Sequence, residues 1–274
     1  MAETATDWVA AIAEGADLRL MAMGAGGTVL ATGRAAPEAL RRSVAELTGA
    51  LPPVVACGLG QAGLRKVPCR PLDDTLVQRP VHGVQLAAIP GLAQESPAHV
   101  MQGPETAIAG FLALNPKFDG VLCLPGETTV WAHISAEEVV SFVSFLTVPL
   151  ARTTARLLGL DGGWDAAAFS DALSDMMAKP ERLAERLASL RAEAQLRGPP
   201  EGTARARLWG GFLGAELAAA RPYWLGQQVA VIGTGDIAQH YAAAIAAQGL
   251  PPAEADGAAM RLHGLGQARL LLKP

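Results

Sequence analysis

The chain has 274 residues, enough for one large domain or two modest ones, and half of them are hydrophobic. Only 5% are aromatic, and 22 basic against 26 acidic residues leave a formal charge of −4, with no basic block. This excludes nucleic acid as the expected partner and favours closely packed helices and strands over an aromatic-rich β-sandwich.

In chain order, Trp8 to Ile12 reads as a short buried strand. Asp17 to Met23 and Thr28 to Thr32 read as two more, joined by the hairpin turn Gly24-Ala25-Gly26-Gly27. Pro37 to Leu47 has helical spacing, with Leu40, Val44 and Leu47 on one stripe, and Val54 to Cys57 is a fourth strand. Ala107 to Ala113 is a small-residue helix, with Glu105 at its start. A second copy of the strand pattern begins at Phe118, with strands at Val121 to Leu124, Thr129 to Ile134 and Val139 to Leu146. A long helical region runs from Leu150 to Arg197, broken near Gly162-Gly163 and Pro180. Pro199-Pro200 is a loop before the helix Thr203 to Ala220. Strand Gln228 to Ile232, helix Ile237 to Ala247 and a last helix from Ala258 to Leu271 follow. The expected lobes are residues 1–116 and 117–274.

No apolar run reaches the roughly 20 residues of a membrane span. No basic stretch followed by a long apolar core marks a signal peptide. Cys57, Cys69 and Cys123 lack metal spacing and read as reduced thiols of a cytoplasmic protein. His82, His99, His133, His240 and His263 are scattered and read as surface or hydrogen-bonded residues rather than metal ligands.

Four segments can carry chemistry. Glu105 at a helix start either caps free amides or serves as a general base toward a hydroxyl. Pro125-Gly126-Glu127-Thr128-Thr129 is either an ordinary turn or a phosphate wrap, with Glu127 opposing the second reading. Val231-Ile232-Gly233-Thr234-Gly235-Asp236-Ile237 is a strand, a Gly turn and a helix start. It either carries a nucleotide at the helix N-terminus or is a tight turn with Asp236 as N-cap. It lacks the third Gly of a dinucleotide fingerprint, so a Rossmann-type enzyme fits less well. Cys57-Gly58-Leu59-Gly60-Gln61-Ala62-Gly63 lacks the Lys-Ser/Thr ending of a P-loop and is either a substrate-facing loop or a plain turn.

Together these residues resemble the 2-dehydro-3-deoxygalactonokinase family. Val100-Met101-x-Gly103-x-Glu105-Thr106, Asp119-Gly120-Val121, Cys123-Leu124-Pro125-Gly126, Trp131 and Phe145-Leu146-Thr147 follow the family's order and spacing. Glu216-Leu217-Ala218 and Ala220-Arg221-Pro222-Tyr223-Trp224-Leu225-Gly226 extend the likeness, which spans nearly the whole chain. The resemblance implies an α/β actin-like ATPase and sugar-kinase fold, with two RNase H-like lobes around a cleft. It implies ATP and Mg²⁺, a sugar acid and a nucleotide as small-molecule partners, no membrane, and leaves a homodimer open. It also implies phosphorylation of 2-dehydro-3-deoxy-galactonate to its 6-phospho form. On that reading Glu105 is the base. Arg19, Gly103 and Thr106 face the substrate, and Gly126, Thr128, Thr129, Gly233, Thr234, Gly235 and Asp236 face the nucleotide.

The departures from the family concentrate at the same places. Leu18-Arg19 matches, but Ile12 stands where the family's first strand ends in a metal-binding Asp, so that position supplies no metal ligand. The family's Arg-Gly-Glu-Glu-Thr is Gln102-Gly103-Pro104-Glu105-Thr106. Its Pro-Gly-Thr-His-Ser-Lys-Trp is Pro125-Gly126-Glu127-Thr128-Thr129-Val130-Trp131, and its Thr-Gly-Glu-Leu is Thr147-Val148-Pro149-Leu150. The competing expectation is therefore a relative that keeps the fold as a sugar-acid or nucleotide-binding regulatory protein.

Overall fold

The computed structural model describes residues 5–81, 83–160, 162–198 and 202–272; His82 and the Pro199-Pro200 loop lie outside them. Packing divides the chain into two units. The first holds Met1–Phe118, Ile134–Ser141 and Gly257–Pro274, and the second holds Asp119–His133 and Phe142–Asp256.

The first unit opens with β1 (Trp8–Glu14), β2 (Asp17–Met23), β3 (Val29–Ala35), α1 (Leu40–Thr48) and β4 (Val54–Cys57). β1 pairs antiparallel with β2, from Trp8 opposite Met23 to Glu14 opposite Asp17. β4 lies parallel on its other side, with Ile12 opposite Cys57. Trp8 to Ile12 are all buried, because a strand covered on both faces needs a continuous apolar run rather than alternation. α1 seals one face with Leu40 and Val44, which lie one turn apart.

Five short strands follow: β5 (Leu64–Lys66), β6 (Val77–Val81), β7 (Val84–Ala88), β8 (Gly91–Glu95) and β9 (Ala98–Met101). The main sheet runs β3-β2-β1-β4-β7-β6, and β5, β8 and β9 form a small separate sheet. Pro80 sits within β6, the sheet's edge, where a missing N–H costs least. Most of this region carries no strand pattern in the sequence, because exposed Lys66 and half-exposed Arg65, Arg79 and Gln94 interrupt any apolar alternation.

α2 (Pro104–Leu114) packs against α9 (Gly257–Leu271) with the two backbones in contact. A Cβ at Gly264 would lie 1.9 Å from the Thr106 carbonyl oxygen, and one at Gly110 would lie 1.9 Å from that of Met260. Only glycine permits that approach.

The second unit's elements are β10 (Gly120–Leu124), β11 (Thr129–Ser135), β12 (Glu138–Phe145), α3 (Thr147–Leu158), α4 (Ala166–Ala178), α5 (Leu183–Leu196), α6 (Thr203–Ala219), α7 (Arg221–Trp224), β13 (Val229–Gly233), α8 (Gly235–Ala246) and β14 (Ala253–Asp256). Its sheet order is β12-β11-β10-β13-β14, with β13 parallel to both β10 and β14. The short turns from β10 to β11 to β12 permit only antiparallel pairs. The order matches β3-β2-β1-β4-β7, so the duplication expected from Phe118 onward exists in topology. The core beneath this sheet is built from α6 (Trp209, Phe212, Leu213, Leu217), α4 (Phe169, Leu173) and α8 (Tyr241, Ile245).

The division differs from the contiguous lobes 1–116 and 117–274. The last helix belongs to the first unit because Gly110 and Gly264 let it seat on α2. The 134–141 hairpin tip belongs there too. Val139 exchanges backbone hydrogen bonds with Cys69, and Arg70 meets Glu137 at 3.1 Å. Helical periodicity shows which stripe of α9 is apolar, not which unit will cover it.

Candidate functional site

In the first unit, Gly103, Glu105 and Thr106 form one buried knot. Gly103 adopts φ 108° ahead of α2, and Pro104 opens the helix. The Glu105 side chain folds back, and both its carboxylate oxygens accept from the Gly103 N–H, at 2.8 and 2.7 Å. Thr106 donates its hydroxyl to the same carboxylate at 3.1 Å and also meets the Cys57 thiol. Glu105 is fully buried, and desolvation lifts its pKa from 4.5 to about 7 against the pull of those hydrogen bonds and of Arg261. Burial, then the nearby Glu105 charge, pushes Cys57 up to about 12, so that thiol is inert. Glu105 thus anchors the helix start, the first of its two expected roles, with burial raising its proton affinity toward neutrality.

Arg261 of α9, whose charge reaches both Glu105 and Cys57, had no motif to mark it in the sequence. Arg19 is not part of the knot. It meets Glu14 at 3.8 Å and remains 43% exposed, while Arg34 holds the same Glu14 at 2.7 Å.

Ile12 is packed with Trp8, Ala10, Met21, Val55 and Cys57. A hydrocarbon side chain in that cluster offers no donor to Mg²⁺ or its water shell, so this position does not fit the metal that the fold implies there. Among the described residues no group of three His, Cys, Asp or Glu side chains is placed to hold a metal ion.

In the second unit, Gly233, Thr234, Gly235 and Asp236 form the turn from β13 into α8. Asp236 is not the N-cap: Thr234 holds that position, in extended backbone, and no side chain caps the helix. The first-turn amides therefore remain open to an anion. On one side of the turn lies a cavity of about 660 Å³ lined by Arg152, Arg156, Arg205, Thr234, Asp236 and His240. A smaller cavity of about 240 Å³, also lined by Thr234, carries Glu254 and Asp256. Three arginines line the larger cavity, of which Arg152 is paired with Glu127 and Arg205 donates to the Gly162 carbonyl at 2.7 Å.

His240, expected to be a surface or hydrogen-bonded histidine, is half-buried and lines the larger cavity. It stacks on Trp164 with ring centroids 3.9 Å apart and planes 6° from parallel. Burial, the largest influence, lowers its pKa. The arginines and these aromatics went unassigned in the sequence because they come from α3, α6, α8 and the segment between α3 and α4.

The turn between β10 and β11 splits its expected ligands. Gly126 is half-buried and Thr128 exposed, leaving both accessible. Thr129 is fully buried and its hydroxyl lies 3.0 Å from that of Tyr241. Glu127, expected to repel phosphate, is paired with Arg152.

Two sheets of one repeated order, with Gly turns at the ends of their parallel strands, define the class of the actin-like ATPases and sugar kinases. A Clostridium difficile activator of 2-hydroxyisocaproyl-CoA dehydratase, solved with bound ADPNP, shares the fold at TM-score 0.55 and 8% identity, over 97% of this chain and 98% of that one. The chain belongs to the 2-keto-3-deoxy-galactonokinase family, whose model matches residues 7–268. A solved Sinorhizobium meliloti protein provisionally given the name 2-dehydro-3-deoxygalactonokinase superposes with TM-score 0.88 at 27% identity, over 97% of this chain and 99% of that one. A Rhizobium meliloti (strain 1021) protein named "Probable 2-dehydro-3-deoxygalactonokinase DgoK1" is 31% identical over 197 residues, 68% of this chain and 64% of that relative. The match thus spans under two thirds of the curated relative's length. No helix among the described residues is long and apolar enough to cross a membrane.

Proposed function

We propose that the protein is an ATP-dependent kinase of 2-dehydro-3-deoxy-galactonate. The observation that carries this reading is Glu105, a buried carboxyl with a pKa of about 7 that holds the family's own position after Gly103. A general base works best when its pKa lies near the working pH. In the reaction Glu105 takes the proton of the primary hydroxyl, whose oxygen forms the new bond to phosphorus as the bond to the ADP oxygen breaks. Bound ATP supplies the phosphoryl group. Arg152, Arg156 and Arg205 are the cations that would hold its phosphates, with the uncapped amides of α8 and the backbone of Gly126 and Thr128 beside them. Gly103 and Thr106 orient Glu105 rather than touch the sugar acid, since both are spent on its carboxylate. Arg19 is the weakest of the substrate-side assignments, being occupied by Glu14.

The test is ADP release from ATP with 2-dehydro-3-deoxy-galactonate in Mg²⁺ buffer, beside a Glu105→Ala control. Turnover that the substitution abolishes supports the kinase. Well-folded protein that binds ATP without turnover overturns it in favour of a nucleotide-binding relative, the reading that the apolar packing of Ile12 favours.

A further inference from the structure

Beneath the two turns assigned to the nucleotide lies a buried polar network that the reaction above does not use. Glu216 of α6 is only 3% exposed. One of its carboxylate oxygens accepts from the Trp131 indole N–H at 2.8 Å, and the other accepts from the Tyr241 hydroxyl at 2.8 Å. Thr147, at the start of α3, also hydrogen-bonds to it. A phenol has one proton, and Tyr241 gives it to Glu216. At 3.0 Å the Thr129 hydroxyl is therefore the donor to the Tyr241 oxygen. Thr129, Trp131 and Tyr241 are all fully buried.

A carboxylate in an apolar core is an expensive way to gain stability, since apolar side chains of similar volume often serve as well or better. Its particular property is direction. Thr129 closes the 125–128 turn, and Tyr241 lies on the helix that the 233–235 turn begins. One carboxylate thus ties together the two segments that would approach the phosphates.

We propose that Glu216, acting through Tyr241 and Thr129, is the positioning residue that sets these two turns at a fixed spacing for the nucleotide. This inference rests on the nucleotide reading above. It removes Thr129 from the residues that touch phosphate and gives it a place in the support beneath them.

The test is calorimetric titration of Mg-ADP into wild type, Tyr241→Phe, Thr129→Val and Glu216→Gln, each with its melting temperature. Leu213→Ala serves as a control that damages the same core without removing a hydrogen-bonding group of the network. Tyr241→Phe and Thr129→Val should weaken ADP about fivefold or more, the scale of one directed hydrogen bond. Glu216→Gln keeps one acceptor oxygen but puts an NH2 donor in place of the other, so Trp131 or Tyr241 loses its acceptor and ADP should weaken by a similar factor. Leu213→Ala should lower the melting temperature at least as far with ADP affinity unchanged. ADP affinity that stays constant across the network variants, or that falls equally in Leu213→Ala, overturns the positioning role. Wild type that binds no ADP overturns the nucleotide reading itself.

Discussion

Glu105 and Ile12 show how one residue's environment settles its chemistry. Folded Glu105 holds its proton up to about pH 7, whereas the unfolded carboxyl loses it near 4.5. Between those values the native state binds the extra proton. Stability from this group is therefore complete below about pH 4.5 and is lost as pH rises through 7. Urea midpoints at pH 5 and pH 8 should show this loss in wild type, and Glu105→Gln should lack that component. The activity runs the opposite way, since a base acts when deprotonated. Turnover per substrate encounter should rise with pH around an apparent pKa near 7, measured as kcat/KM. Ile12 yields a different expectation. Ile12→Asp restores the family's residue on paper but places a carboxylate among Trp8, Ala10, Met21, Val55 and Cys57. It should cost on the order of 3 kcal/mol or more in urea unfolding. Gain of Mg²⁺ affinity without that loss would contradict the packing described here.

At the scale of elements, the contact of α2 with α9 holds the Glu105 knot in place. The Gly264 Cα lies so close to the Thr106 carbonyl that no side chain fits between them. Gly264→Ala should separate the helices and cost about 1–3 kcal/mol, read as a lower melting temperature. Because Thr106 donates to Glu105, the same variant should also shift the pH profile, a change that a distant core lesion would not produce. The helix itself was legible in the sequence, since Pro104, Glu105 and an apolar run announce a helix start. Its partner was not. Gly264 in an Ala- and Leu-rich helix carries no mark of the neighbour that requires it. The strands β5, β6 and β9 were illegible for another reason: they are short and largely exposed, and period-2 patterning needs one dry face to be visible.

For the whole molecule, nucleotide binding should be local to one unit. The residues assigned to the nucleotide all lie in Asp119–His133 and Phe142–Asp256. Saturating ATP should slow amide hydrogen exchange at 125–129 and 233–240 and leave α1 and β3 unchanged. Equal protection throughout the chain would contradict that assignment. At about a hundred times its Kd, ATP should also stabilise the native state by about 2.7 kcal/mol through mass action.

The sequence by itself determined four strands of each repeat, β1 to β4 and β10 to β13, the buried character of β1 and β10, and the position of Glu105 at a helix start. Each of these is written in local patterns of apolar residues, Gly and Pro, and local sterics read those patterns directly. Only the tertiary structure decided which unit holds α9 and that Thr129 turns inward to Tyr241. It alone also brought Arg152, Arg156, Arg205 and His240 around one cavity. These arrangements depend on residues far apart in the chain and on backbones close enough to exclude a Cβ. Neither distance is encoded in any window of neighbouring residues.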